Sequence, residues 1–320
     1  MQNKLNFSLT QLEYVLAVQK FGNFNKAAQS CYVTQPTLSM QIQKLEEDLG
    51  AVIFDRAKKP ILLTETGKQL VEQMQAIVFE ARKLAALTEA GGDTQQIRGE
   101  LSVAVIPTIA PYLLPRLLPI LEKMHPDLRL RLIEQQTHKI IEALDNDEID
   151  AGILATPLNI GKIHERALYW EPFSVLCRSD HPLAKAKKVK HSELKGKDIW
   201  LLEEGHCLRH QVLDICSIRQ KNEPQRRYQF ESGSLETLKS LVNSYGGYTL
   251  LPSLSTDILG RNAVLVQFER PVPAREIGLV SRRQHYKSHL LGALADAVVA
   301  CVPEPLRKLK AKDLDVVPID

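Results

Sequence analysis

Between Leu9 and Leu49 the apolar residues recur at helical spacing: Leu12, Val15 and Leu16, then Ala27 and Ala28, then Leu38, Ile42, Leu45 and Leu49. This pattern predicts three short helices. Gly22 and Asn23 separate the first from the second. Thr34, ahead of Gln35, Pro36 and Thr37, offers an N-cap with proline in the first turn, so the third helix begins near Gln35 and closes at Gly50. Residues 51–67 then alternate apolar and polar stretches around Lys58, Lys59 and Pro60, which predicts a hairpin and a candidate wing. From Thr64 to Ala90 no proline intervenes, and Leu70, Met74, Ile77, Ala81 and Leu84 recur as a coiled-coil seam. About 25 helical residues extend roughly 37 Å, a suitable connector between two chains. Gly91 to Gly99 is expected to be a flexible linker.

Beyond the linker the pattern turns to α/β. Strands are expected at 101–106, 128–135 and 151–154, alternating with helices at 111–125 and 137–148, an order that implies a parallel sheet. Later strands are expected at 173–177, 199–204, 248–252 and 276–281, with helices at 234–244 and 289–301. No internal repeat is evident, and the polar tail after Pro303 carries no pattern.

At 320 residues the chain exceeds one ordinary core, so two or three domains are expected. No apolar run approaches the roughly 18 residues of a membrane span, and the first residues lack a secretory leader, which predicts a cytoplasmic protein. Five cysteines without an export signal argue against a structural disulfide framework. Net charge is +3, and through Ala90 ten Lys and Arg face nine Asp and Glu. Bulk charge therefore does not announce a nucleic-acid partner; local placement must.

The first candidate chemistry lies in residues 24–56. Small Ala27 and Ala28 let two helices approach closely, and the following turn leads into a helix displaying Thr34, Gln35, Pro36, Thr37 and Ser39. Thr37 and Ser39 can donate to phosphates or bases, and Gln43, further along, can reach base edges. Arg56, Lys58 and Lys59 would add attraction to the DNA backbone from the wing, with the acidic cluster Glu46 to Asp48 facing away. Spacing alone fits a plain three-helix bundle equally well. The residue pattern decides: Ala27-Ala28, Gln35 to Ser39, Gln41-Ile42, Leu45-Glu46, Leu49-Gly50 and Phe54-Asp55-Arg56 closely resemble the LysR-type regulators. The resemblance implies a winged helix-turn-helix at 1–66, a linker and dimerisation helix at 67–98, a two-lobed effector domain like a periplasmic binding protein at 99–303, and a tail at 304–320. It also implies promoter DNA as target, a homo-oligomer (a dimer through the linker helix, then a tetramer), RNA polymerase as partner, and no membrane.

The second candidate is the pair Cys207 and Cys216, whose nine-residue spacing alone carries little. Cys207 follows His206 and precedes Arg209, cationic neighbours of the kind that make a cysteine reactive. Were both on one helix, their Cα atoms would lie roughly 13 Å apart, whereas a disulfide needs about 4.4 to 6.8 Å. Bonding would require local refolding. Residues 203–216 and 234–252, with 105–115 around Thr108, resemble the peroxide-sensing branch of the LysR family. That resemblance implies hydrogen peroxide as signal, an oxidative-stress role, Cys207 as the peroxidatic and Cys216 as the resolving cysteine, and Thr108, Thr137, His206 and Arg275 around the peroxide. His210 departs from the acidic residue common at its place.

Each residue also has a plainer role. Thr108 and Thr137 follow strands at a sheet's carboxyl end, where ligands bind, yet either could cap a helix. Arg275 could be a surface cation, and Cys31, Cys177 and Cys301 are expected to be small core residues. His206 and His210 are four apart without a clear further ligand, so no metal is expected; no Walker loop, dinucleotide fingerprint or zincin motif is present, and no cofactor is expected. Two alternatives remain: a LysR-type regulator of a small metabolite with incidental cysteines, and a thiol peroxidase or oxidoreductase.

Overall fold

Helix α1 (Leu9–Phe21) opens at Ser8, whose hydroxyl accepts from the Gln11 amide while the Gln11 side chain returns to the Ser8 N–H. The computed structural model describes residues 6–89, 97–194, 198–218, 232–257, 259–283, 285 and 287–319. It divides into two units, Met1–Thr94 and Gln95–Asp320.

In the first unit α2 (Phe24–Ser30) is capped by Asn23, and α3 (Gln35–Leu49) by Thr34, whose Oγ1 accepts from the Thr37 amide. Gly50 ends α3 in the left-handed region at φ +64°. The three helices bury Leu12, Val15, Ala27, Ala28, Leu38, Ile42 and Leu45 together. The wing is the antiparallel pair β1 (Phe54–Asp55) and β2 (Leu62–Leu63). Gly67 sits against its base so closely that a Cβ would lie 2.2 Å from the Ile53 carbonyl oxygen. There α4 (Glu65–Glu89) departs.

The seam expected along α4 divides. Met74 is buried, with Val71 and Val78, in the core of its own unit, and Leu70 packs against the same core. Ile77 and Leu84 are exposed. A helix that packs on α1 through 71, 74 and 78 must turn part of any 70–84 stripe inward. Residues 90–96, most of the expected linker, lie outside the described residues.

The second unit is built on β3 (Gly99–Val105), α5 (Ala110–Met124), β4 (Leu128–Glu134), α6 (Thr137–Asp145), β5 (Ala151–Thr156) and β6 (Ile163–Arg178). There follow β7 (Lys188–Val189), α7 (Cys207–Ile215), α8 (Leu235–Tyr245), β8 (Tyr248–Pro252), β9 (Ala263–Phe268), β10 (Val272–Arg282), α9 (Ser288–Cys301), α10 (Glu304–Arg307) and β11 (Leu314–Val316). The sheet is mixed rather than parallel. β3 runs parallel to β4 and β5, but β10 is antiparallel to β5 and β6, because the chain returns to the first lobe from the second.

β6 and β10 join the two lobes. The first part of β6 pairs with β10, and its last part with β8 and β9. One core gathers β3, β5, α5, α6 and α9; a second gathers the end of β6, α7, α8, β8 and β9. Residues 199–204, expected as a strand, make only an isolated bridge from Ile199 to Tyr248. The tail is not featureless either: β11 pairs in parallel with the start of β10.

Candidate thiol site and DNA-facing helix

Cys207 is the first residue of α7, and Cys216 caps the other end of that helix. Both are free thiols, roughly 13 Å apart at helical rise. Gly205, at φ +89°, a conformation that side-chain-bearing residues rarely adopt, brings the chain against the Gln136 side chain, whose Oε1 would lie 2.9 Å from a Cβ there. This close approach places Thr137, the first residue of α6, beside the sulfur, with Oγ1 to Sγ at 3.0 Å. The Thr137 hydroxyl caps no helix, since α6 begins from Gln136 without a side-chain cap.

His206, the N-cap of α7, is buried, with Nε2 3.5 Å from Glu203 Oε1 and 3.3 Å from Gln136 Nε2. Burial lowers its pKa below the usual 6.5, against the opposing pull of Glu203, so the imidazole is neutral at pH 7. The cation expected beside Cys207 is therefore not His206. The Arg209 guanidinium donates to the Leu202 carbonyl at 2.6 Å. Cys207 itself stands at the amide end of α7.

Thr108 and Arg275 form a second group. Arg275 is no surface cation: it is 1% exposed, its Nη1 donates to Thr108 Oγ1 at 2.9 Å, and its Nη2 lies 2.7 Å from Glu171 Oε2. Glu171 sits opposite Arg275 in the β6–β10 register, and its other oxygen accepts from the Leu254 amide at 2.8 Å. Such a buried pair is costly to break from one side. Sequence reasoning missed Glu171, which carries no local signal, and Gln136.

Beside Gln136 and His206 lies a cavity of about 600 Å³, lined also by Tyr112, Lys139, Glu203 and Glu236 among others. Tyr112 donates to Glu236 at 2.7 Å. Thr108, Thr137, Cys207 and Arg275 are not among its lining residues.

The remaining cysteines differ. Burial pushes Cys177 and Cys301 up to about 11, and Cys216 up to about 12. Cys31 is half-buried at the C-cap of α2.

On α3, Thr34, Gln35, Pro36, Thr37 and Gln43 are exposed and Ser39 is half-buried. Gln43 donates to Glu47 one turn on at 3.1 Å. On the wing, Lys58 lies 3.9 Å from Asp55, and Lys59 is exposed. Arg56 is exposed on the wing and is also tied to α3. Its Nη2 donates to Glu46 Oε2 at 2.9 Å and its Nη1 to Ser39 Oγ at 3.4 Å, while its guanidinium lies over the Phe24 ring. The Oε1 of Glu46 accepts from the Ile53 and Phe54 amides. The acidic side chain ties the wing to α3.

Residues 9–68 match the bacterial regulatory helix-turn-helix of the lysR family, and residues 94–301 match the LysR substrate binding domain. The chain belongs to the LysR family of transcription regulators, DNA-binding proteins rather than enzymes. Within it the chain is similar to OxyR proteins. It is 35% identical over 307 residues to the hydrogen peroxide-inducible genes activator of Dickeya chrysanthemi, covering 95% of this chain and 99% of that one. It is 36% identical to the dual regulator OxyR of Escherichia coli, covering 86% and 89%. A cysteine-to-aspartate variant of full-length Pseudomonas aeruginosa OxyR superposes with a TM-score of 0.76 at 33% identity, covering 93% and 99%. A cysteine-to-serine variant of Corynebacterium glutamicum OxyR with hydrogen peroxide bound superposes at 0.61 with 28% identity, covering 93% of each chain. Among the described residues no helix is long and apolar enough to cross a membrane.

Proposed function

We propose that this chain is a hydrogen peroxide-sensing transcription regulator of the oxidative stress response, switched by a disulfide between Cys207 and Cys216. The observation that carries this reading is the setting of Cys207: a half-buried sulfur at the amide end of a helix, 3.0 Å from the Thr137 hydroxyl. Peroxide held near Thr137 and His206 is attacked by the Cys207 thiolate. Its O–O bond breaks, one oxygen stays on sulfur as sulfenic acid, and the other leaves with a proton as water. The Cys216 thiol then condenses with the sulfenic acid, forming the S–S bond and releasing a second water. The Arg275–Glu171 pair ties β10 to β6, and Arg275 also holds Thr108 in the turn after β3.

Residues 1–66 are the DNA-binding head, 67–98 the linker and dimerisation helix and hinge, and 99–303 the effector domain. Thr34, Gln35, Pro36, Thr37, Ser39 and Gln43 face promoter DNA, with Lys58 and Lys59 supplying backbone charge. Arg56, exposed on the wing, adds to that charge while it also ties the wing to α3. Exposed Ile77 and Leu84 fit a second copy, giving a dimer and then a tetramer that meets RNA polymerase in the cytoplasm. The test is a DNA footprint of the whole protein, reduced and peroxide-treated, with mass spectrometry of its thiols. The footprint is expected to shift as the Cys207–Cys216 disulfide appears; an unchanged footprint without that disulfide overturns the reading.

The cavity favours a second reading, a regulator of a small metabolite, because about 600 Å³ with polar walls suits a small ligand. Peroxide titration of the thiols separates the two.

A further inference from the structure

Gln211 lies midway along α7, between the two cysteines, and is fully buried. Its Nε2 donates to the Val317 carbonyl at 3.2 Å, a bond spanning 106 positions. Val317 belongs to the C-terminal tail, which the sequence left without pattern. Before it, β11 pairs with the start of β10 in the register Val272 to Leu314, Pro273 to Asp315 and Ala274 to Val316. The Val317 amide extends that pairing by donating to the Ala274 carbonyl at 2.8 Å. The Val317 side chain is buried in the same core as Leu208, Val212, Ile215 and Cys216. The tail thus holds one face of the helix that carries both sulfurs. The other half of the Gln211 amide, Oε1, is buried with no hydrogen-bond partner among the described residues, so the polar part of this anchorage is the single bond donated by Nε2.

The two cysteines cannot bond while α7 is intact, and any unwinding that brings them together displaces Gln211. We infer that the C-terminal strand is a latch on α7, and that Gln211 is the positioning residue through which it acts. With the tail docked the helix stays closed; opening of the helix frees Val317, and undocking of the tail eases opening, since such coupling is reciprocal. The use of the latch in a peroxide switch rests on the function proposed above. The mechanical coupling does not.

The experiment uses the full-length chain. In the reduced protein, hydrogen exchange is compared between the parent, Gln211→Met, which keeps length and apolar bulk but removes the donor, and Val317→Gly, which keeps the carbonyl but removes the buried side chain. Exchange at 208–215 and at 314–317 is expected to accelerate together in both variants, by about fivefold for Gln211→Met. After peroxide addition the disulfide is expected to form about fivefold faster in Gln211→Met. Sulfenic acid formation, measured by trapping in a Cys216→Ser background, is expected to keep the parent rate, because the first step uses the closed helix. Acceleration at 208–215 with no change at 314–317 in Gln211→Met overturns the latch, as does an unchanged disulfide rate with normal sulfenic acid formation. If no sulfenic acid forms at all, the peroxide reading fails, and the exchange comparison still decides the latch. Should Gln211→Met not fold, Val317→Gly carries the same decision from the tail side.

Discussion

The two ends of α7 hold the same side chain in opposite settings. At the amide end, Cys207 is half-buried, with the Thr137 hydroxyl at its sulfur; at the carbonyl end, Cys216 sits in an apolar core and its thiol is pushed up to about 12. A nucleophile needs thiolate and access, and Cys216 is denied both by burial. One cysteine can meet an oxidant in the folded state, whereas the other becomes available only when the fold opens. The helix between them keeps the second step from following the first without a structural change, which is what a switch requires.

The largest effect should come from removing the exposed end. Cys207→Ser is expected to abolish both sulfenic acid and the footprint shift at any peroxide concentration that leaves the parent fully switched; a shift that persists would place sensing elsewhere. Cys216→Ser should be milder in kind: sulfenic acid still forms, as trapping with a dimedone probe would detect, but the altered footprint is not retained once peroxide is removed. Equal loss of trapped sulfenic acid in both variants would erase the distinction between the two ends.

A smaller effect is expected from Thr137→Val, which keeps shape and removes the hydroxyl. Loss of that one hydrogen bond should slow Cys207 oxidation about tenfold, the equivalent of roughly 1.4 kcal/mol, while Thr137→Ser stays near the parent rate. Stopped-flow measurement of the first step checks it. A rate unaffected by Thr137→Val would reduce the 3.0 Å contact to packing.

What could be read in advance follows the range of the interactions. Capping by Thr34, the close helices at Ala27 and Ala28, and the glycine end at Gly50 depend on neighbours a few positions away, and the first three helices and the strands at 101–106 and 248–252 were legible from such signals. The environment of the site was not. Arg275 and Glu171 are 104 positions apart, Gln211 and Val317 are 106 apart, and neither pair has a periodicity to betray it. His206 was expected as a cation because it adjoins Cys207; its burial among Glu203, Gln136 and Gly233, which makes it neutral, arises from the fold. The hold of Glu46 on Arg56 was equally hidden, because the two lie on different elements.

The smallest effect tests the buried end through pH. A thiol whose folded pKa stands near 12, above an ordinary 9.0, favours the protonated form in the folded state. Its contribution to stability is therefore fully present below the unfolded value and is lost as pH rises from about 9 towards about 12. Cys207 shares the helix but not this burial. Denaturant unfolding of the reduced protein should thus show a decline in stability above pH 9 that is shallower in Cys216→Ala than in the parent. Cys177 and Cys301, each pushed up to about 11, contribute to the same decline, so the variant flattens it only in part. If Cys216→Ala keeps the slope of the parent, Cys216 is not sequestered in the folded state, and the opening of α7 is not the step that separates sensing from locking.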